Sequence, residues 1–411
     1  MSQYDLLIRG GTVIDPASGF RGVRDVAISG GRIVAAEGGE ARRTIDAAGL
    51  YVVPGLIDLH THLGFELHRK VVYAEDVCPP AGVTTAVDMG STGAFTFPWY
   101  KQRILASCPV RLYEFINIAS IGTIAIHTPY YVDTYGEYVD VADTRRMIEE
   151  HRDAIKGIKV FATSAMVGEW ALHALRAARE VADAVQVPIA VHVSVQPPLL
   201  EEVLELLRPG DIITHTFTPL DQGILDAQGC LRPAVRAARE RGVLFDLGHG
   251  AGSFTFEVAR KALAQGFAPD TISSDIYYAN TVAPVVDLLT TASKFLNLDM
   301  SLEDTLARVT SRPAQALGER DLGTLRPGAM ADIALLALRE GSFAYVDSRK
   351  QTLQGRYKLE CQMTIQGGRI AYEEFPMSGG SPDQGSGVRD QGNVPSPAAK
   401  ASGSRRSLGE L

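Results

Sequence analysis

Between residues 55 and 321 the chain repeats one unit, a short apolar run of strand length followed by a stretch with helical spacing. Eight runs qualify: GLIDLH (55–60), VTTAVDMG (83–90), RLYEFINIA (111–119), GIKVF (157–161), PIAVHV (188–193), DIITHTF (211–217), VLFDLGHG (243–250) and TISSDI (271–276). Segments such as GEWALHALRAAREVADAV (168–185), PPLLEEVLELL (197–207) and LRPAVRAARERG (231–242) separate them. Strands alternating with helices are joined by crossovers, which make neighbouring strands parallel. Eight such units predict a closed (β/α)8 TIM barrel, an α/β fold. The competitor is an open doubly wound sheet, but no GxGxxG or P-loop follows any of the runs.

The two ends of the chain read differently. LLIRGGTVID (6–15), VAISGGRIVA (26–35) and MTIQGGRIAY (363–372) each consist of a short strand, a Gly-Gly turn and a second strand, the pattern of a β-hairpin. TLRPGAMADIALLAL (324–338) adds strand-turn-strand character beside the last of them. These segments predict a small β-sandwich domain built from residues 1–54 plus 322–375, with the catalytic barrel, residues 55–321, inserted between its halves. Residues 376–411 are rich in Gly, Ser and Pro and almost free of large apolar side chains, so a disordered C-terminal tail is expected there.

Composition narrows the function classes. A formal charge of −8 argues against a nucleic-acid surface, which needs clustered Lys and Arg. No apolar run approaches the roughly 20 residues of a membrane helix, and MSQYDLLIRGG lacks the basic and apolar regions of a secretory signal. Cys78, Cys108, Cys230 and Cys361 are far apart and form no CxxC, so free thiols in a cytoplasmic protein are expected, with a disulfide or zinc-ribbon set as the alternative. The expected partner is a small-molecule substrate. The Tyr-rich segment 127–140 reads equally as a lid over it or as a contact in a homo-oligomer.

Polar residues gather where a barrel carries its active site, at the C-terminal strand ends. In GLIDLHTHL, extended alternation places Asp58, His60 and His62 on one face. Lys159 lies in the fourth run, His192 in the fifth, His215 in the sixth, Asp246 and His249 in the seventh and Asp275 in the eighth. Imidazoles and a carboxylate on several strand ends are a ligand set for a divalent ion such as Zn²⁺. Parity sends Ile158 and Val160 outward and Lys159 into the barrel, where burial disfavours an ammonium. The neutral amine can instead add CO₂ to give an anionic carbamate able to bridge two metals. Pairing of Lys159 with a carboxylate such as Asp275 is the plainer alternative. Asp58, one step deeper than His60, is read as orienting an imidazole. His249, in the Gly-rich turn GHGAGSF, either contacts the reacting oxyanion or orders its loop. His68, His127, His151 and His173 lack partner spacing and are expected to be ordinary packing or surface residues.

HTH after the first run, Lys159, His192, His215 and Asp275 together resemble the amidohydrolase superfamily over about residues 1–375. GIKVF, ITHTF, FDLGHGAGSF and ISSDI are most similar to its deacetylase-type, dihydroorotase-like metallohydrolases. The resemblance implies two divalent metal ions, zinc by family habit, bridged by N6-carboxylated Lys159. His60, His62 and Asp275 would hold one, and His192 and His215 the other. It further implies amide or ester hydrolysis by a metal-bound hydroxide, with Asp275 as proton shuttle. Gly250, Ser253 and Tyr277 become candidate substrate contacts. Hydrolysis of an acyclic bond, as in an N-acyl amino acid or acylated hydroxy acid, is the first expectation. Cyclic amide opening, of dihydroorotase or hydantoinase type, is the second, and a catalytically inactive scaffold of the same fold the third. Dihydroorotases of this fold place Arg two residues after the second His to grip a substrate carboxylate; here that position is Gly64, with Arg69 or Lys70 as substitute cations. The deacetylase-like branch usually has His two residues after the eighth-strand Asp, where this chain has Tyr277.

Overall fold

Seven of the eight expected runs form one parallel sheet in sequence order: Leu56–Thr61, Val83–Asp88, Arg111–Asn117, Ile155–Phe161, Ile189–His192, Ile212–Thr214 and Leu244–Phe245. The computed structural model describes residues 3–64, 67, 71–126 and 128–374. The tail 376–411, His68, Arg69, Lys70 and His127 lie outside the described residues. The eighth run closes the ring through hydrogen bonds to both neighbours. Leu247 N donates to Thr271 O at 3.0 Å and His249 N to Ser273 O at 3.2 Å, while Asp275 N donates to His60 O at 2.7 Å and His62 N to Ile276 O at 3.0 Å. It is too irregular to form a continuous ladder because Asp275 takes a φ of +49°, in the left-handed region. The fold is therefore a (β/α)8 barrel with a β-sandwich beside it.

The helices follow the apolar spacing of the sequence. Ala171–Val185 buries Ala174, Leu175, Ala178, Val181, Ala182 and Val185, one stripe at three- and four-residue intervals that covers the fourth and fifth strands. Phe256–Ala264 and Leu288–Leu296 begin with side-chain caps, Thr255 accepting from Val258 N and Asp287 from Thr290 N.

The sandwich comes from both chain ends. A four-stranded sheet runs in the order Arg32–Val34, Val26–Ser29, Gln3–Arg9, Glu40–Asp46. A six-stranded sheet runs in the order Arg369–Glu373, Thr352–Gln366, Ile333–Val346, Tyr51–Pro54, Thr12–Asp15, Phe20–Val23. Leu6, Ile8, Ile28 and Ile45 of the first share a core with Val13, Val52, Ile333, Met363 and Ile365 of the second. Tyr51–Pro54 passes straight into the first barrel strand.

Two of the three Gly-Gly hairpins form, at 26–34 and 363–373. The expected hairpin at 6–15 does not: Gln3–Arg9 pairs with Val26–Ser29 and Glu40–Asp46, whereas Thr12–Asp15 pairs with Phe20–Val23 and Tyr51–Pro54. Here the glycines carry the chain between layers. A Cβ on Gly11 would lie 2.5 Å from Val52 Cγ2, so the crossing needs glycine for close approach.

Candidate metal centre

The strand ends bring six polar side chains to one cavity of about 170 Å³ at the C-terminal mouth of the barrel: His60, His62, Lys159, His192, His215 and Asp275 all line it. Ile158 and Val160 lie in the outer core, and Lys159 points inward and is fully buried. Asp275 Oδ1 is 3.5 Å from His60 Nε2 and 3.3 Å from His62 Nε2, and donor atoms of all three lie within 4.8 Å of one another. Lys159 Nζ is 3.4 Å from His60 Nε2. Across the cavity, His192 Nδ1 and His215 Nε2 are 2.8 Å apart. Two ligands about 2.1 Å from one tetrahedral ion would be ~3.4 Å apart, so both groups are close to ligand spacing.

Hydrogen-bond partners behind the rings fix which nitrogen faces the centre. Thr214 Oγ1 donates to Asp246 Oδ2 at 2.9 Å, so toward His60 Nδ1, 2.8 Å away, it accepts. His60 thus carries its proton on Nδ1 and presents the Nε2 lone pair to the cavity. His215 Nδ1 donates to Gly248 O at 2.7 Å and likewise presents Nε2. His62 Nδ1 lies 2.9 Å from Ser91 Oγ, and Ser91 N and Leu63 N both donate to Asp88 at 2.7 Å. The His60 Nε2 lone pair and Asp275 Oδ1 are both acceptors facing each other, an arrangement that a cation between them satisfies. The donor set fits a divalent ion.

Charge and backbone agree. Burial, reinforced by Lys159 and the neighbouring imidazoles, holds His60 neutral, well below the usual histidine range. Burial lowers His215 to about 4 against the opposing pull of Asp275. Lys159 is lowered to about 8, burial outweighing Asp275, Asp246 and Asp88, so its neutral, CO₂-reactive form is accessible. A Cβ on Gly90 would lie 2.7 Å from Lys159 Cβ and Cγ, so the lysine stem occupies space that glycine leaves open. Two of the six residues, His215 (φ +70°) and Asp275 (φ +49°), hold left-handed backbone, a conformation costing roughly 1–3 kcal/mol that concentrates at functional sites.

Three sequence expectations change here. Asp58 does not line the cavity, and among the described residues its hydrogen bonds go to Ser274 and to the His60 backbone rather than to an imidazole ring. The pairing of strands one and two slips between Asp58 and Thr61, and the buried carboxylate accepts from Ser274 N at 2.9 Å, from the Ser274 hydroxyl and from His60 N at 3.4 Å. It ties the backbones of the first and eighth runs together, and burial raises it to about 7. The work of orienting rings falls to Thr214 with Asp246, to Ser91 with Asp88, and to Gly248 O. Thr214 and Ser91 had no signal beyond their place at strand ends. His249 turns away from the cavity: it is fully buried, its Nε2 is 2.7 Å from Lys294 Nζ and its ring lies against Phe254. It therefore does not touch a reacting oxyanion. Gly250 does not line the cavity with a surface of its own, although a Cβ there would lie 2.3 Å from Asp275 Oδ2.

Ser253, Tyr277 and Gly252 of the Gly-rich turn do line the cavity, together with Thr123, Ile126, Phe161, Met166 and Ala251, which the sequence did not single out. Burial and Asp275 raise the Tyr277 phenol to about 12, so it stays a hydrogen-bond donor. The Tyr-rich segment forms the helix Pro129–Tyr138, with Tyr131 and Tyr135 buried. His151 and His173 pack beside Phe97 and Trp170, away from the centre. All four cysteines are free, and among the described residues no helix is long and apolar enough to cross a membrane.

Residues 51–371 match the model of the amidohydrolase family. The chain is 33% identical over 350 residues to a deacetylase of Agrobacterium fabrum, covering 82% of this chain and 85% of that protein. Among solved structures it resembles an adenine deaminase, with a TM-score of 0.84 and 30% identity over 90% of this chain and 100% of that one. It also resembles a dihydroorotase, with a TM-score of 0.81 and 29% identity over 89% and 98%.

Proposed function

The chain belongs to the amidohydrolase family, and from that premise we propose that it hydrolyses an acyclic amide or ester, such as the acyl bond of an N-acyl amino acid or an acylated hydroxy acid. The observation that carries the reading is the convergence of four imidazoles, Asp275 and a buried lysine on one cavity. His60, His62 and Asp275 would hold one divalent ion, His192 and His215 a second, and Lys159 as its N6-carboxylate would bridge them; zinc suits this nitrogen and oxygen set. Such ions, when bound, activate water and polarise a carbonyl.

The protein's own groups do the rest. Asp275 takes the proton of the attacking water and returns it to the leaving nitrogen or oxygen. Its backbone is fixed for this by Asp275 N donating to His60 O and by Asn280 Nδ2 donating to Asp275 O at 2.8 Å. Tyr277 donates to the oxygen that gains charge in the transition state. Ile126, Phe161 and Met166 exclude water from one side and receive the apolar part of the substrate.

Position 64 favours the acyclic reading. A Cβ on Gly64 would lie 2.7 Å from the Tyr100 ring, and its φ is +104°, so no arginine fits there to grip a cyclic substrate's carboxylate. The deacetylase relative supports the same choice, while the dihydroorotase-like structure keeps cyclic amide opening as the second reading. An inactive scaffold would be expected to have lost ligands, and this chain has the full set. The test is a panel of N-acetyl amino acids of both hands, acetylated hydroxy acids, dihydroorotate and hydantoins, assayed with zinc-loaded protein. Turnover confined to the cyclic compounds would replace the first reading with the second. Failure of the protein to bind zinc at all would leave only the scaffold.

A further inference from the structure

Lys294 lies outside the cavity on the helix Leu288–Leu296 and is fully buried. Its ammonium donates to His249 Nε2 at 2.7 Å, Pro284 O at 2.6 Å and Val346 O at 2.9 Å. These acceptors use all three of its protons. Because Nε2 accepts, the proton of the His249 ring is on Nδ1, which donates to Gly250 O at 2.8 Å. The segment that Lys294 grips is wedged between two members of the metal centre. Gly248 O holds His215, and Gly250 leaves no room for even a methyl group beside Asp275.

The next residues are held from the sandwich. Phe254, whose ring centroid is 4.5 Å from that of His249, donates from its backbone N to Ser348 Oγ at 3.0 Å, and Ser348 N donates back to Phe254 O at 3.0 Å. Phe256 N donates to Asp347 Oδ2 at 3.1 Å. Val346, Asp347 and Ser348 are consecutive residues at the turn between Ile333–Val346 and Thr352–Gln366. Between these two anchors the chain supplies Ala251, Gly252 and Ser253 to the cavity wall.

We propose that Lys294, His249 and the hairpin tip Asp347–Ser348 form a positioning clamp that sets the 251–253 wall beside Asp275, and so aligns the substrate carbonyl with the metal centre. The clamp rests on the hydrolase reading above for its effect on rate, but not for its effect on the loop. None of these residues touches substrate; they act through the wall. Reactions of this kind lose about 100-fold for a misplacement near 1 Å, so a loosened wall should be felt in kcat.

The experiment compares wild type, Lys294→Met, which keeps the unbranched side chain one atom shorter and without its donors, and Ser348→Ala. Each is measured for zinc content, for kcat and KM on the best panel substrate, and for amide hydrogen exchange. Lys294→Met should hold wild-type zinc, lose roughly tenfold or more in kcat with a much smaller change in KM, and exchange about tenfold faster or more at residues 248–256 while Ile155–Phe161 stays protected. Ser348→Ala should show the same pattern at about threefold, and it carries the test if Lys294→Met does not fold. Wild-type exchange at 248–256, an unchanged kcat in an active enzyme, or a rise spread equally over the barrel strands would each overturn the clamp. If wild type turns over nothing on the panel, the hydrolase reading fails while the exchange comparison still decides the clamp.

Discussion

Lys159 is the side chain on which the chemistry of the site turns. A buried ammonium beside neutral imidazoles is poorly compensated, and its lowered proton affinity opens a second chemistry, addition of CO₂. Lys159→Ala should therefore lose most bound metal and activity, with partial recovery in a small carboxylate such as propionate that refills the vacated space. Retention of both metals by that variant would remove Lys159 from the centre. The pH dependence has a definite sign. Only the neutral amine reacts, and with its pKa lowered to about 8 it is neutral in about a tenth of molecules at pH 7 and in about half at pH 8. Metal uptake by metal-free protein at a constant dissolved CO₂ concentration should accordingly speed up as pH rises from 6.5 through 8 and level off above it. Zinc incorporation followed at fixed dissolved CO₂ is the measurement, and a rate that falls over this window contradicts the carbamate.

At the scale of strands, rings are aimed by groups on other strands, His60 by Thr214 from across the barrel. Asp246, on the seventh strand's extension, accepts from Thr214, Thr271 and Ser273, and through Thr214 it fixes the proton of His60 on the far nitrogen. Thr214→Val keeps the shape and removes that hydroxyl. It should weaken metal affinity roughly 10- to 100-fold while leaving the melting temperature of the metal-free protein nearly unchanged, as competition with a chelator and a thermal melt would show. The fifth and sixth runs put His192 and His215 into one cavity because parity and strand order are properties of the local sequence. What stayed hidden depends on partners distant in sequence. The slip between Asp58 and Thr61 changes where Asp58 points, yet a bulge leaves no mark in GLIDLHTHL. The left-handed turns at His215 and Asp275 fall on residue types that adopt them more readily than most non-glycine residues but still rarely, so nothing in the sequence marks where function imposes the strain. His249 was open to two roles, and a lysine 45 positions later, on a helix with no apparent link to the site, settled its surroundings.

For the whole molecule, the informative feature is that the sandwich is not an appendage. Its longest hairpin, Ile333–Val346 with Thr352–Gln366, pairs with Tyr51–Pro54, the strand that runs directly into the first barrel strand. At the other end the same hairpin holds the 254–256 segment beside the cavity. The Gly-Gly hairpin near the C-terminus was legible, but the contact that the neighbouring turn at 347–348 makes with the active-site wall was not, because it joins residues about 90 positions apart. A chain ended after residue 330 removes Ile333, Leu335, Met363 and Ile365 from the shared sandwich core. At about 2 kcal/mol for each buried side chain, roughly 8 kcal/mol of burial is lost, comparable to the whole net stability of a typical domain, about 5–15 kcal/mol. The shortened chain should therefore fail to give a cooperative thermal transition, and full-length protein should melt in one step with sandwich and barrel together. Calorimetry of both chains makes the comparison. A shortened chain that melts cooperatively and still binds zinc would mean that the barrel is self-sufficient, and that the hairpin was added to the active site without being needed for the fold.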